Sequence, residues 1–221
     1  MNENKRKVAL VSPTDDHTKE VIQRAIDDDV AQFECFYGED ASAMAVECVR
    51  SGGADLLMKG AVNTDVLLRA ALDKEHGILQ PGRVMTHISV ANIPGWQRPL
   101  IFSDAAVIPH PDILQMDAIV RYTVEAARNL GIATPKVALT NFTEKENPKF
   151  PQTAVYQEIR CRAAEGLYGD VVIGGPMDVK TALDSESGTI KGIDSPVVGN
   201  ADILIFPNIE AGNTFYKTIT L

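Results

Sequence analysis

Asp202-Ile203-Leu204-Ile205-Phe206-Pro207-Asn208-Ile209-Glu210-Ala211-Gly212-Asn213-Thr214-Phe215-Tyr216-Lys217 runs from an apolar stretch into a polar turn and then into a helical pattern. The apolar residues Ile203 to Phe206 read as a strand that stops at Pro207. The glycine-containing turn ends where a short helix begins, near Asn213. Strand, loop and helix start in that order place a ligand site at the carboxyl end of a strand in α/β proteins. Asn208, Glu210, Asn213, Tyr216 and Lys217 supply hydrogen-bonding groups and a cation to such a site. Spacing alone favours an ordinary solvated loop.

Outward from this stretch, strands and helices alternate. Val8–Val11, Phe33–Tyr37 and Leu56–Met58 read as strands. Thr18–Ile26 has helical spacing of Val21, Ile22, Ala25 and Ile26. Ala41–Arg50 is helical up to Gly52-Gly53, a C-terminal stop. A third helix, capped by Asn63 or Thr64, extends to about Lys74. Gly77–Gly82 reads as a linker. Beyond it come strands at Val84–Val90, Leu100–Phe102, Val137–Leu139 and Val171–Ile173. Helices are expected at Ile113–Leu130 and Thr153–Ala164, with a short one from Asp178. The alternation predicts α/β architecture with mostly parallel sheets in two α/β domains, residues 1–82 and 83–221.

A chain of 221 residues is long enough to bury real cores. Its net charge of −9 disfavours nucleic acid, so an anionic ligand needs a local cationic site. Cys35, Cys48 and Cys161 form no CxxC pair, and no two histidines have metal-ligand spacing, which argues against a metal site and a disulfide framework. Met1–Lys7 is not followed by a signal-peptide core, and no apolar run approaches the ~20 residues a membrane helix needs. The expectation is a cytoplasmic protein with reduced thiols.

Lys59-Gly60-Ala61-Val62-Asn63-Thr64 lies between a strand and a helix, where free N–H groups and the helix dipole favour an anion. Arg69 follows within the helix and could grip a phosphate. The plain alternative is surface charges and an ordinary N-cap. Gly174-Gly175-Pro176 puts flexible backbone just beyond a strand end, where a ligand could approach closely, although a tight turn is the favoured reading of such a motif. His87, after Arg83 and Thr86, reads as a structural histidine rather than a base. No HExxH, GxSxG or GxGxxG occurs.

Met58–Thr64, Leu67–Ala70, Asn147-Pro148-Lys149, Gly175–Asp178, Lys191-Gly192-Ile193 and Asp202–Lys217 together resemble the phosphate acetyl/butyryltransferases, from about Ala54 to Leu221. The Asn208-Ile209-Glu210 form is closer to the butyryl branch. The resemblance implies two α/β domains around a cleft, as in the isocitrate and isopropylmalate dehydrogenases. It also implies a metal-free reaction, acyl-CoA plus phosphate to acyl phosphate plus CoA, with no covalently held cofactor. CoA or acyl-CoA and phosphate or acyl phosphate are the expected partners, and a homodimer the expected assembly. Arg69, Asn213 and Lys217 are implied catalytic residues, with Lys59 and Thr64 in the same pocket as Arg69. Gly60, Asn63, Arg83, Thr86, Gly175, Pro176, Asn208, Glu210, Gly212 and Tyr216 are implied to bind substrate.

The chain departs from the family pattern in three ways. Family members continue past the Tyr-Lys pair into a Ser-Arg segment and an aspartate, whereas this sequence ends at Leu221, implying a shortened chain. The first eighty residues are short, as if a helix and strand near Glu34–Ala43 were absent. Gly174-Gly175-Pro176 replaces Asp-Gly-Pro. These departures sustain a second reading, a non-catalytic CoA- or acyl-phosphate-binding relative. A dehydrogenase-like relative ranks last, because its metal-binding aspartates have no counterpart.

Overall fold

The computed structural model describes residues 5–220, so most of Met1–Lys7, read above for a signal peptide, and the terminal Leu221 lie outside them. The described residues form eight strands and eight helices in two compact units, which join in sequence at Arg83 and Val84.

The first unit contains β1 (Arg6–Val11), α1 (Asp16–Asp27), β2 (Ala31–Phe36), α2 (Ala41–Arg50), β3 (Leu56–Lys59) and α3 (Thr64–Ala71). Its three strands are parallel in the order β2-β1-β3, with Val11 beside Phe36 and Lys59. Parallel strands need crossover helices, and α1 and α2 supply them. Ala9 and Val11 of the central strand pack with Phe36, Ala41, Ala45, Ala54 and Leu67. α1 forms through its Asp15 cap, which accepts from the Thr18 N–H at 2.8 Å. Its apolar stripe is not a core face, however, for no residue of α1 is buried and Val21 and Ile26 stay exposed. α3 ends at Ala71 instead of Lys74. The Asp73 carboxylate accepts from the N–H groups of Glu75 and His76 at 2.9 and 2.7 Å, closing a turn that competes with the helix.

The second unit contains β4 (Ser89–Ala91), β5 (Leu100–Ser103), α4 (Ile113–Asn129), β6 (Lys136–Thr140), α5 (Gln152–Ala164) and β7 (Val172–Met177). These are followed by α6 (Val179–Leu183), α7 (Ser185–Lys191), β8 (Ile203–Ile205) and α8 (Ile209–Ile219). The sheet order is β4-β5-β8-β6-β7, with β4 antiparallel and the rest parallel. Alternating residues feed two cores. Ile101, Leu139, Ile203 and Ile205 face α4 and α5, whereas Leu100, Phe102, Ala138 and Leu204 pack with Met177, Ala182, Phe206 and Phe215.

Three expectations are corrected here. Val84–Ile88 is not a strand, because the Thr86 hydroxyl and the His87 N–H turn to the Asp104 carboxylate instead of a neighbouring strand. β7 continues through Gly174-Gly175-Pro176, so Gly175 and Pro176 lie inside a strand rather than beyond its end. A Cβ on Gly175 would come 2.5 Å from the Leu139 carbonyl oxygen, so this glycine serves close packing. α8 begins at Ile209, because Asn208 is its cap and accepts from the Ala211 N–H at 2.9 Å; Asn213 is therefore mid-helix.

Candidate active site

Adjacent parallel β5 and β8 bring the loop after Ser103 beside the start of α8. α8 rests on that loop. A Cβ on Gly212 would overlap the Asp104 carbonyl oxygen, so only glycine lets the helix this close. Asn213 Nδ2 donates to the Ala105 carbonyl at 2.9 Å, and the Ile209 N–H donates to the Pro109 carbonyl at 3.0 Å. Asn208, Gly212 and Asn213 thus have structural duties. Phe215 packs edge-on to Phe102 with ring centroids 5.2 Å apart, and Tyr216 lies edge-on to His87 at 6.0 Å. Lys217 is exposed, with Nζ 5.2 Å from the Tyr216 ring centroid. Glu210 is exposed beside His110, at 3.7 Å.

The residue that organises this end of the sheet is Asp104, to which sequence reasoning assigns nothing. It is 2% exposed. Its Oδ2 accepts from Thr86 Oγ1 at 2.8 Å and from the His87 N–H at 3.1 Å. Its Oδ1 accepts from the N–H groups of Ala106 and Val107 at 2.8 and 2.9 Å. The available signal is an aspartate directly after an apolar strand, followed by two alanines.

At the carboxyl ends of β6 and β7, Lys191 bridges Glu144 and Asp178. Burial pushes the Asp178 carboxyl up, but the Lys191 ammonium and the Thr181 N–H and hydroxyl outweigh it and bring the pKa down to about 2. Lys191 and Asp178 carry part of the resemblance, and here they tie α7 to the strand ends.

In the first unit, Lys59 Nζ donates to the carbonyls of Gly60 and Val62 at 3.1 and 2.9 Å and braces its own loop. Gly60 packs against β1, where a Cβ would come 2.6 Å from the Val11 and Ser12 carbonyl oxygens. Asn63 caps α3 by position but makes no side-chain cap bond, and Thr64 is exposed. Arg69 lines a cavity of about 510 Å³ between α2 and α3, with Glu39, Asp40, Val66, Asp73 and His76, and neither Lys59 nor Thr64 is among its lining residues. Five helical positions turn the side chain about 140° from Thr64, so the two face different directions. Arg83 is exposed at the end of this unit.

Residues 5–221 match the family described as Phosphate acetyl/butaryl transferase. The chain belongs to the phosphate acetyl/butyryltransferase family. Similar members include a phosphate acetyltransferase from Thermotoga maritima, 33% identical over 239 residues, covering 97% of this chain and 81% of the relative. A phosphate butyryltransferase from Clostridium acetobutylicum is 39% identical over 180 residues, covering 81% of this chain but only 60% of the relative. A branched-chain phosphotransacylase from Enterococcus faecalis V583 superposes with a TM-score of 0.83 at 25% identity, covering 97% of this chain and 84% of that one. A phosphotransacetylase from Streptococcus pyogenes shares the fold, with a TM-score of 0.80 at 21% identity over 96% of this chain and 80% of its own. In this family member, no described helix is long and apolar enough to cross a membrane. Among its described residues no cluster of three or more His, Cys, Asp or Glu is placed to hold a metal ion.

Proposed function

We propose that the chain transfers a short acyl group between CoA and phosphate, with butyryl or a similar acyl group as substrate. The observation that carries this reading is the family match across residues 5–221. The butyryl preference draws support from the 39% identity to a butyryltransferase and from the Asn208-Ile209-Glu210 form, while an acetyltransferase at 33% identity keeps acetyl as the competing acyl group.

In the reaction the CoA sulfur bonds to the carbonyl carbon of the acyl phosphate, the carbon–oxygen bond to phosphate breaks, and the thiol proton ends on the departing phosphate. Negative charge grows on the carbonyl oxygen and the leaving phosphate, where cations and N–H donors lower the barrier. Arg69 and Lys217 are exposed cations suited to phosphate groups of the substrates. The start of α3, with the Asn63 side chain making no cap bond, is a further anion-binding element. Tyr216 and Glu210 line the α8 side. Asn213, Gly212 and Asn208 act by holding α8 in place. Three free cysteines suit a reducing cytoplasmic setting, and a homodimer is the assembly we assign.

The test is thioester formation from butyryl phosphate and CoA, followed by absorbance. Arg69→Ala is expected to lower kcat/KM by about tenfold to a hundredfold, as loss of one phosphate contact would. Rates equal with and without the protein, alongside measurable CoA binding, would replace this reading with the non-catalytic CoA-binding one. Unchanged kinetics in Arg69→Ala would make Arg69 a surface charge. Light scattering at several concentrations tests the homodimer.

A further inference from the structure

The hydrogen bonds around Asp104 determine which way the Thr86 hydroxyl points. Three of the four donors to this carboxylate are backbone N–H groups, from His87, Ala106 and Val107, and these can only donate. Both carboxylate oxygens are therefore acceptors. Among the described residues no Lys or Arg side chain forms an ion pair with Asp104, so hydrogen bonds alone balance its charge. Thr86 has a single hydroxyl proton, and it goes to Asp104 Oδ2 at 2.8 Å. Ser103 Oγ, 3.1 Å from Thr86 Oγ1 and fully buried, must then donate to Thr86. One lone pair of the Thr86 oxygen remains, and Thr86 keeps part of its surface open. A hydroxyl in this state accepts a hydrogen bond and has no proton to give to a phosphate oxygen. The negative charge of Asp104 behind it also repels an anion.

We propose that Asp104 is a positioning residue that makes Thr86 an obligate acceptor, and that Thr86 receives a donor hydrogen from the thiol-bearing arm of CoA rather than binding phosphate. This rests on the acyltransferase reading and deepens it, because it assigns one side of the β5 end to CoA. Two donors on that arm qualify, the S–H and the amide N–H groups.

Calorimetric titration of the whole chain with CoA, with CoA lacking the sulfur, and with inorganic phosphate tests the proposal. Thr86→Val, which keeps the shape and removes the acceptor, is expected to weaken CoA binding about tenfold, the worth of one hydrogen bond, and to leave phosphate within about twofold. Thr86→Ser is expected to restore CoA binding, which a purely structural role for the threonine methyl would not allow. Asp104→Asn places an amide donor before Thr86 and frees its proton, so CoA should weaken as in Thr86→Val. If the sulfur-free analogue shows no Thr86→Val penalty, the donor is the S–H; an equal penalty identifies an amide N–H. Weakened phosphate with unchanged CoA in Thr86→Val would overturn the proposal. Wild-type protein that binds CoA as tightly as Thr86→Val overturns this inference alone, whereas wild-type protein that does not bind CoA overturns the acyltransferase reading and this inference with it. Should Asp104→Asn fail to fold, the two Thr86 variants decide.

Discussion

Gly212 shows how one residue can look like a ligand contact and be a packing contact. It lies in a run of polar residues, which invites a binding role. Its real constraint is the Asp104 carbonyl oxygen, 108 positions earlier in sequence. Gly212→Ala should destabilise the protein by about 1–3 kcal/mol, the usual cost of overpacking. Urea denaturation checks this, and a midpoint equal to wild type would mean that α8 shifts away without cost. Asn213→Ala removes the bond to the Ala105 carbonyl and should cost about 1 kcal/mol in the same experiment. The sequence marks Asn208, Gly212 and Asn213 as special but not for what purpose, since their partners lie on segments that only the fold brings near. Asp104 is harder to see. Its donors sit at Thr86 and His87 upstream and at Ala106 and Val107 downstream, and no periodicity links them.

Elements are legible in the sequence where local signals agree. α2 falls at Ala41–Arg50 as expected, because its apolar spacing and the Gly52-Gly53 stop point the same way. α4 has a capping box between Asp112 and Gln115 and ends before Gly131. The misread boundaries are those where a side chain competes with the backbone, as at Asp73, or where glycine serves packing inside an element, as in β7 and α8. The α6–α7 region contributes a pH effect. The folded-state pKa of Asp178 lies at about 2, below its ordinary value of 3.8, owing to Lys191 and Thr181 acting against burial. A depressed carboxyl stabilises the fold above the unfolded value and loses that contribution as pH falls through the folded value. Asp178→Asn should therefore be less stable than wild type near pH 6, with the gap closing between about pH 4 and pH 2. Urea midpoints across that range measure it. A gap that stays constant down to pH 2 would show that the Lys191 pair contributes nothing through charge.

At the scale of the whole molecule, stability should be spread unevenly. In the second unit, Leu100, Ile101, Phe102, Val137, Ala138, Leu139, Ile203, Leu204 and Ile205 are all fully buried, between cores on both faces of the sheet. Opening β8 would disrupt both cores, so its amides should exchange only through extensive unfolding. α1 is the opposite case. It has an N-cap and a hydrogen-bonded end at Asp28, but no buried residue, and Val21 and Ile26 are 42% and 47% exposed. A helix of 12 residues is marginal without tertiary packing, so α1 should open locally at little cost. Native-state hydrogen exchange followed by mass spectrometry should find α1 amides exchanging at least about a hundredfold faster than those of β5, β6 and β8, after correction for intrinsic rates, since a factor of ten corresponds to about 1.4 kcal/mol of opening free energy. Protection of α1 equal to that of β8 would require burial of its Val21–Ile26 face in solution, for instance by a second copy of the chain. Repeating the exchange at lower protein concentration separates the two cases: protection that falls on dilution comes from association, and protection that does not comes from within the chain.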